Sequence, residues 1–88
     1  MKLKMSKMRK ELKQFAEFQE KILKKNDHKS HWSWCKTGWL LRRLGQELNE
    51  LRRACKKGNT EEIKSECADV ANFAMMIYDN LRQRGKHD

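Results

Sequence analysis

The stretch from Leu44 to Phe73 reads LGQELNELRRACKKGNTEEIKSECADVANF, and its pattern decides the fold. Apolar residues on both sides of Gly58 recur at the spacing of one face of an α-helix. Gly58 is typical of a helix C-terminus, and Thr60, followed by two acidic residues, is typical of the N-cap of a new helix. Because the break between them is short, the stretch predicts an antiparallel helix hairpin.

The rest of the chain adds one helix and a loop to this hairpin. Apolar residues at helical spacing predict a first helix from about residue 5 to 25, and turn-forming residues predict a loop over 26–33. The hairpin helices are expected at about 34–57 and 60–82. With no proline and no alternation of period two, the sequence predicts a single all-α domain over residues 1–88, built as a three-helix subunit.

The composition limits the kinds of partner. Lys and Arg number 21 against 12 acidic residues, and the formal charge of +9 attracts nucleotides, nucleic acids or acidic membranes without choosing among them. Much of the excess lies near the two chain ends, where basic runs are usually solvated. No apolar stretch predicts a membrane span or a signal peptide, and three cysteines without a CxxC pair favour a reduced, cytoplasmic protein.

Four acidic residues break the amphipathic pattern of the hairpin helices. Glu47 falls about 60° from Leu44, inside the apolar arc of the second helix, and Glu50 lies at the edge of that arc. Glu66 and Asp69 repeat this arrangement on the third helix, with one acid inside the apolar stripe and the other at its border. The hairpin is therefore expected to bring the two pairs together.

Carboxylates on an apolar face are unfavourable unless a cation compensates them. Four such groups in one place repel each other, and their hard oxygen atoms suit Mg²⁺ or Mn²⁺, which also bind substrate phosphates. The ordinary alternative is a salt bridge, and Arg43 lies one turn before Glu47 on the same side of the helix. One acidic pair alone favours salt bridging, whereas two pairs in matching phase favour a metal site.

These residues also carry a family resemblance. Residues 44–51 (LGQELNEL), a glycine turn and residues 66–70 (ECADV) resemble the ExxE…ExxD signature of the MazG-like all-α nucleotide pyrophosphohydrolases. Residues 69–77 (DVANFAMMI) are similar to the third helix of that family. The resemblance covers roughly residues 26–82, which is most of the chain.

The resemblance implies hydrolysis of a nucleoside or deoxynucleoside triphosphate to the monophosphate and pyrophosphate. It assigns catalysis and the binding of Mg²⁺, or of Mn²⁺, to Glu47, Glu50, Glu66 and Asp69. It also implies a homodimer or homotetramer with a core of the four-helix-bundle type, which suits a chain too short to bury a large core alone. Many members read EExxE, whereas Gln46 stands at the first acid position here, a change that can reduce metal affinity or activity.

Further candidates for contact with the substrate are Lys29, Trp32, Arg43, Lys57 and Asn80. Lys29 could bind phosphate and Trp32 could stack on a base, but the same loop could instead be anchored in the core by its tryptophans. Arg43 and Lys57 lie near the acidic edge, although such residues are more often solvated or paired. Asn80 falls close to the acids on the helical wheel of the third helix.

Two other classes of function fit parts of the pattern. A non-enzymatic basic module that binds nucleotides or nucleic acid would bind in a strongly salt-dependent way, without regard to Mg²⁺. Inward-facing acids would repel phosphates, so a nucleic-acid partner is not expected. A helical oligomerisation module would tolerate Glu47→Ala or Glu66→Ala. The enzyme hypothesis predicts instead that both changes abolish Mg²⁺-dependent turnover while the fold survives.

Overall fold

A computed structural model of the chain describes residues 7–27 and 31–84. They form helix α1 (Lys10–Lys24), a 3-10 turn (Trp32–Trp34), helix α2 (Thr37–Lys57) and helix α3 (Thr60–Arg84). No β-strand occurs in these two ranges, so the predicted all-α class with three helices is confirmed. None of the described helices combines the length and the apolar character needed to cross a bilayer.

The helix bounds differ from those expected at the entry to the hairpin. Helix α2 begins at Thr37, a few residues later than expected, because Cys35 and Lys36 adopt extended backbone conformations. The 3-10 turn before them is stabilised by the His31 ring, whose Nδ1 accepts a hydrogen bond of 3.1 Å from the Ser33 backbone. The loop between α1 and α2 is therefore partly ordered by its own contacts. Residues 5 and 6 of the expected first helix lie outside the described part of the chain, and α1 begins only at Lys10, because Arg9 has a non-helical ψ of 144°.

The turn of the hairpin is built by Gly58 and Asn59. Gly58 has φ 77° and ψ 16°, in the left-handed region, and its N–H donates to the Ala54 carbonyl at 2.9 Å. The Asn59 side-chain oxygen accepts a hydrogen bond of 3.0 Å from the Glu62 N–H. Asn59 therefore caps α3, and the prediction of Thr60 as the N-cap was wrong by one residue. Asn and Thr both serve as N-caps, so the sequence alone did not separate them.

Helix α3 is the central element of the subunit. It packs along α2 and also contacts α1 and the 3-10 turn. The contact with α1 includes a pair of amides: Gln19 Nε2 donates to Asn72 Oδ1 at 3.0 Å, and Asn72 Nδ2 donates to the Gln19 carbonyl at 3.4 Å. Asn72 is almost fully buried, so these bonds fix α1 beside the middle of α3.

The apolar core of one subunit is thin. Among the described residues, the buried apolar side chains are those of Ile22, Leu40, Ala54 and Ala68. Several larger apolar side chains are exposed instead, and they are those of Leu12, Trp34, Trp39, Leu41, Tyr78 and Leu81. Most of them lie near the open end of the hairpin, where α2 begins and α3 ends. A single subunit thus leaves much apolar surface in water.

Candidate active site

Three of the four predicted acids come together between α2 and α3. Glu47, Glu66 and Asp69 each offer a carboxylate oxygen, and these oxygens all lie within 4.8 Å of one another. The hairpin explains the grouping, because its turn at Gly58 lies about midway between Glu47 and the acids of α3. The antiparallel arrangement therefore places them opposite each other. We call Glu47, Glu66 and Asp69 the acid trio.

Glu50 lies outside the acid trio. Its side chain is 49% exposed and forms an ion pair with Arg53, one turn later on α2. Asp69 occupies the matching position on α3 but is half-buried. The surroundings of the two acids differ, since α1 packs against α3 and the charge of Lys25, the residue after α1, acts on Asp69. The matching arrangement of the two acidic pairs in the sequence is therefore not kept in the structure, where one outer acid is half-buried and the other is exposed.

The electrostatics of the acid trio are unfavourable without a cation. Burial, followed by a hydrogen bond with Glu47 and by the charges of Asp69, Glu47 and Glu50, raises the pKa of Glu66 to about 7. Burial and the charge of Glu47 also raise the pKa of Asp69, against the opposing effect of the Arg43 and Lys25 charges. Near neutral pH Glu66 is thus only partly ionised, and a metal ion could replace its proton.

Arg43 supplies a cation to one member of the acid trio. Its Nη2 lies 3.0 Å from Glu47 Oε1, its guanidinium also bonds to Gln46, and its Cζ lies 5.1 Å from the centre of the Phe73 ring. The salt bridge between Arg43 and Glu47, which the sequence offered as the alternative to a metal site, is therefore present. It does not reach all the acids, since Glu66 Oε2 is buried and has no hydrogen-bond partner among the described residues.

These observations fit a divalent metal ion. Three hard oxygen donors lie close enough to share one ion, and one buried oxygen lacks a partner that a metal would provide. Carboxylate ligands suit Mg²⁺ and Mn²⁺ and do not separate them.

Two cavities meet at the acids. The first has a volume of about 510 Å³ and is walled by apolar and aromatic side chains, including Trp32, Trp39, Phe73 and Met76, with Glu47 and Asp69 at one side. The second has a volume of about 440 Å³ and is polar, and its lining side chains are those of Arg43, Gln46, Glu47, Asn49, Glu50, Arg53 and Glu66. Arg43 and Glu47 line both. We call the first the aromatic cavity and the second the arginine cleft.

The structure places two of the predicted substrate-contact residues at these cavities. Trp32 lines the aromatic cavity and Arg43 lines both. Lys57 lies near the hairpin turn, 3.9 Å from Glu62, and lines neither cavity. Lys29 falls outside the described residues.

Asn80 is buried and does not line either cavity. Its Nδ2 donates to the Trp32 carbonyl at 3.0 Å and to the Cys35 carbonyl at 3.4 Å. The amide predicted to lie close to a ligand is thus directed at the loop between α1 and α2. The helical wheel gave the side of α3 on which Asn80 lies, but it could not show that the loop covers that side.

Sequence reasoning missed other residues of this region. Arg53 lines the arginine cleft, and Asp79 accepts a hydrogen bond from the Trp32 indole. Each also pairs with an opposite charge three residues away on its own helix. In a sequence such pairs are typical of solvated helix faces, so the pattern carried no sign of a second role.

Comparisons with known proteins bear on the family of the chain. The sequence profile of the family described as phosphoribosyl-ATP pyrophosphohydrolase matches residues 15–82, which include all of α2 and most of α1 and α3. An uncharacterized protein of Archaeoglobus fulgidus is 41% identical to this chain over 49 residues. The aligned segment covers 56% of this chain and 53% of that protein, so the chain spans about half the length of this relative. No solved structure matches the chain.

Proposed function

The chain belongs to the phosphoribosyl-ATP pyrophosphohydrolase family, within the all-α NTP pyrophosphatase (MazG-like) superfamily. We therefore propose that it hydrolyses a nucleoside triphosphate to the monophosphate and pyrophosphate. The substrate class is that of nucleoside and deoxynucleoside triphosphates, with phosphoribosyl-ATP included. The observation that carries the proposal is the acid trio, whose oxygens lie within 4.8 Å of one another and include the buried, unpartnered Oε2 of Glu66.

In this proposal Glu47, Glu66 and Asp69 hold Mg²⁺, with Mn²⁺ as a substitute. When bound, the metal neutralises charge on the phosphates and polarises the phosphorus under attack. Glu50 is proposed as a fourth ligand, since it lines the same cleft as Glu47 and Glu66. Its present partner is Arg53, and anionic phosphates that attract Arg53 would release Glu50 toward the acids.

The two cavities suggest how the substrate lies. An aromatic cavity suits a base and sugar, whereas a cleft with Arg43 and Arg53 suits the β and γ phosphates. The α phosphate then lies at the acids, where the two cavities meet. This placement favours cleavage between the α and β phosphates, because the α phosphate lies at the acids while the β and γ phosphates lie in the arginine cleft.

The same placement suggests a base for the reaction. The attacking water approaches opposite to the leaving pyrophosphate, which puts it on the side of the aromatic cavity. Of the acid trio, Glu47 and Asp69 line that cavity, and Glu47 is bonded to Arg43. We therefore assign to Asp69 the acceptance of the water proton, and burial favours this role by raising its pKa.

A second copy of the chain is proposed to complete the subunit as a homodimer or homotetramer. The exposed apolar side chains at the open end of the hairpin support this, because a stable monomer rarely leaves such residues grouped in water. The radius of gyration of 14.5 Å also exceeds the value of about 12 Å expected for a compact chain of this length. We propose a cytoplasmic location for the assembled protein.

The test is release of pyrophosphate from a panel of ordinary and modified triphosphates and phosphoribosyl-ATP, with Mg²⁺, with Mn²⁺ and with chelator. We expect Mg²⁺-dependent release, reduced at least about 100-fold by Glu47→Gln, Glu66→Gln or Asp69→Asn. Glu61→Gln is the matched control, because Glu61 is an exposed acid at the start of α3 that pairs with Lys64 and not with the acid trio. Release that persists in chelator, or that survives loss of the acid trio, would contradict the proposal.

A further inference from the structure

The 3-10 turn and the residue after it are attached to the C-terminal part of α3 by side chains of that helix. Asn80 Nδ2 donates to the backbone carbonyls of Trp32 and Cys35, at 3.0 and 3.4 Å. The Trp32 indole Nε1–H donates to Asp79 Oδ2 at 3.0 Å. These bonds join residues 45 to 48 positions apart in the chain. We call Asp79 and Asn80 the loop clamp.

Asp79 is well suited to hold an indole in place. Its Oδ1 accepts a bond of 2.9 Å from Arg82 Nη2, so both carboxylate oxygens are engaged and the side chain is fixed from two sides. The hydrogen bond from Trp32, followed by that from Arg82, keeps the pKa of Asp79 below its ordinary value. The bond to the indole therefore has an ionised acceptor over the physiological range, which makes it stronger than a neutral one.

The clamped residues form part of the aromatic cavity. Trp32, His31 and Cys35 all line it, whereas Asp79 and Asn80 do not. The His31 and Trp32 rings lie together, with their centres 4.0 Å apart and their planes tilted by 30°. Fixing Trp32 thus fixes one wall of the cavity in advance of any ligand.

We propose that Asp79 and Asn80 are positioning residues, which hold the Trp32 turn as a preformed wall for the base of the nucleotide. This inference rests on the proposed function, since it gives the aromatic cavity its ligand. A preformed wall lowers the entropy lost when a base binds, because the indole is already held in one orientation. The clamp therefore acts on substrate binding, while the acid trio acts on the chemical step.

The test compares variants of Asp79 that differ only in their ability to accept the indole hydrogen bond. We expect Asp79→Leu to raise KM about tenfold with kcat and Mg²⁺ dependence nearly unchanged, since one charge-assisted hydrogen bond is lost. Asp79→Asn keeps an acceptor oxygen and should restore most of the affinity. In a Trp32→Phe background, which lacks the indole donor, Asp79→Leu should have little further effect.

Arg82→Gln is the matched control. It removes the ion pair of Asp79 but leaves the indole bond, so KM should rise clearly less than in Asp79→Leu. A readout independent of activity is the exchange of the Trp32 indole proton with solvent, followed by NMR and assigned with Trp32→Phe. Exchange should be slow in the unmodified protein and in Asp79→Asn, and fast in Asp79→Leu.

The outcomes separate this inference from the proposed function. If the unmodified chain releases no pyrophosphate from any triphosphate, the proposed function is contradicted, and so is the inference that the loop clamp prepares the aromatic cavity for a nucleotide base. If the chain is active but Asp79→Leu leaves KM unchanged, or lowers kcat alone, the positioning role of the loop clamp is contradicted and the proposed function stands. An equal effect of Asp79→Leu and Arg82→Gln would also overturn it, because the ion pair would then be the cause.

Discussion

The carboxyl of Glu66 exchanges its proton near neutral pH, and this makes the stability of the subunit depend on pH. The group titrates near 4.5 in an unfolded chain and at about 7 in the folded one. The folded chain therefore binds this proton more tightly, and its stability falls as the pH rises from about 4.5 to about 7. The raised pKa of Asp69 acts in the same direction, whereas the lowered pKa of Asp79 acts only at more acidic pH.

From this sign we predict a lower melting temperature at about pH 8 than at about pH 5.5 when chelator is present. Glu66→Gln, which has no proton to lose, should reduce the difference. Mg²⁺ should raise the melting temperature at the higher pH in the unmodified protein, and much less in the variant, since it binds the ionised acids. Equal melting temperatures at the two pH values would contradict the assignment of the retained proton to Glu66.

Gln46 offers a second prediction for a single residue. It shares the guanidinium of Arg43 with Glu47, which lies in the acid trio. Gln46→Glu would compete for Arg43 and add a negative charge, so Glu47 should become more available to a cation. We expect the Mg²⁺ concentration for half-maximal activity to fall about threefold, in line with one added charge near the surface.

The control for Gln46→Glu is Gln14→Glu, which adds the same charge at an exposed position of α1. It should leave the Mg²⁺ requirement unchanged. If both variants lower the requirement equally, the effect belongs to net charge. If Gln46→Glu raises the Mg²⁺ requirement, the prediction is contradicted, and the hydrogen bond between Gln46 and Arg43 supports metal binding.

The sequence predicted the identity of the grouped acids better than their surroundings. Glu47 and Glu66 lie inside the apolar arcs of their helices, and helical periodicity is enough to show that. Asp69 and Glu50 share the same wheel position, so only the tertiary structure separates the half-buried one from the exposed one. The contact between Asp79 and Trp32 depends on the path of a loop, which side-chain periodicity does not contain.

At the level of the elements, the hairpin turn depends on the backbone conformation of one glycine. A Cβ at Gly58 would meet no atom within 4 Å, so the obstacle to a side chain there is the positive φ and not a lack of space. We predict that Gly58→Ala destabilises the subunit by about 1 kcal/mol, measured as the free energy of unfolding in urea. Asn59→Ala should lose a similar amount through the missing N-cap bond.

The same substitution in the middle of α2 is the matched control. Gly45 is helical and exposed, and a Cβ there would also meet no atom within 4 Å. Gly45→Ala should therefore stabilise the chain, by about 0.5–1 kcal/mol, because alanine has the higher helix propensity. Equal effects of Gly58→Ala and Gly45→Ala would show that the backbone conformation of the turn is not the cause.

The elements were predictable where periodicity was long and uncertain where it was short. Both hairpin helices and their turn follow from apolar spacing and from Gly58. The start of α2 did not follow, because Trp34 suits a helix as well as a 3-10 turn. His31 settles the local structure by accepting the Ser33 N–H, and a side-chain bond of this kind leaves no periodic trace.

The whole molecule is predicted to be an oligomer, because its exposed apolar side chains outnumber its buried ones among the described residues. The molar mass in solution should be a multiple of the chain mass of 10.6 kDa, and the melting temperature should rise with protein concentration. Leu41→Lys should shift the equilibrium toward the monomer, since Leu41 is 56% exposed in one subunit.

Glu61→Gln makes the same change of net charge, by one unit, at the opposite end of the hairpin, and it should leave the molar mass unchanged. Light scattering after size-exclusion chromatography measures both. A mass of one chain at high concentration for the unmodified protein would contradict the oligomer. If Leu41→Lys keeps the larger mass, the subunits associate through another surface.

Acids that lie where two separate openings meet also have a consequence for the order in which products depart. If the chain hydrolyses a triphosphate as proposed, the monophosphate and the pyrophosphate need not pass one another, since they occupy different cavities. Either product can then leave first. Added monophosphate should compete with the substrate. Added pyrophosphate should also rebind to the enzyme that still holds the monophosphate.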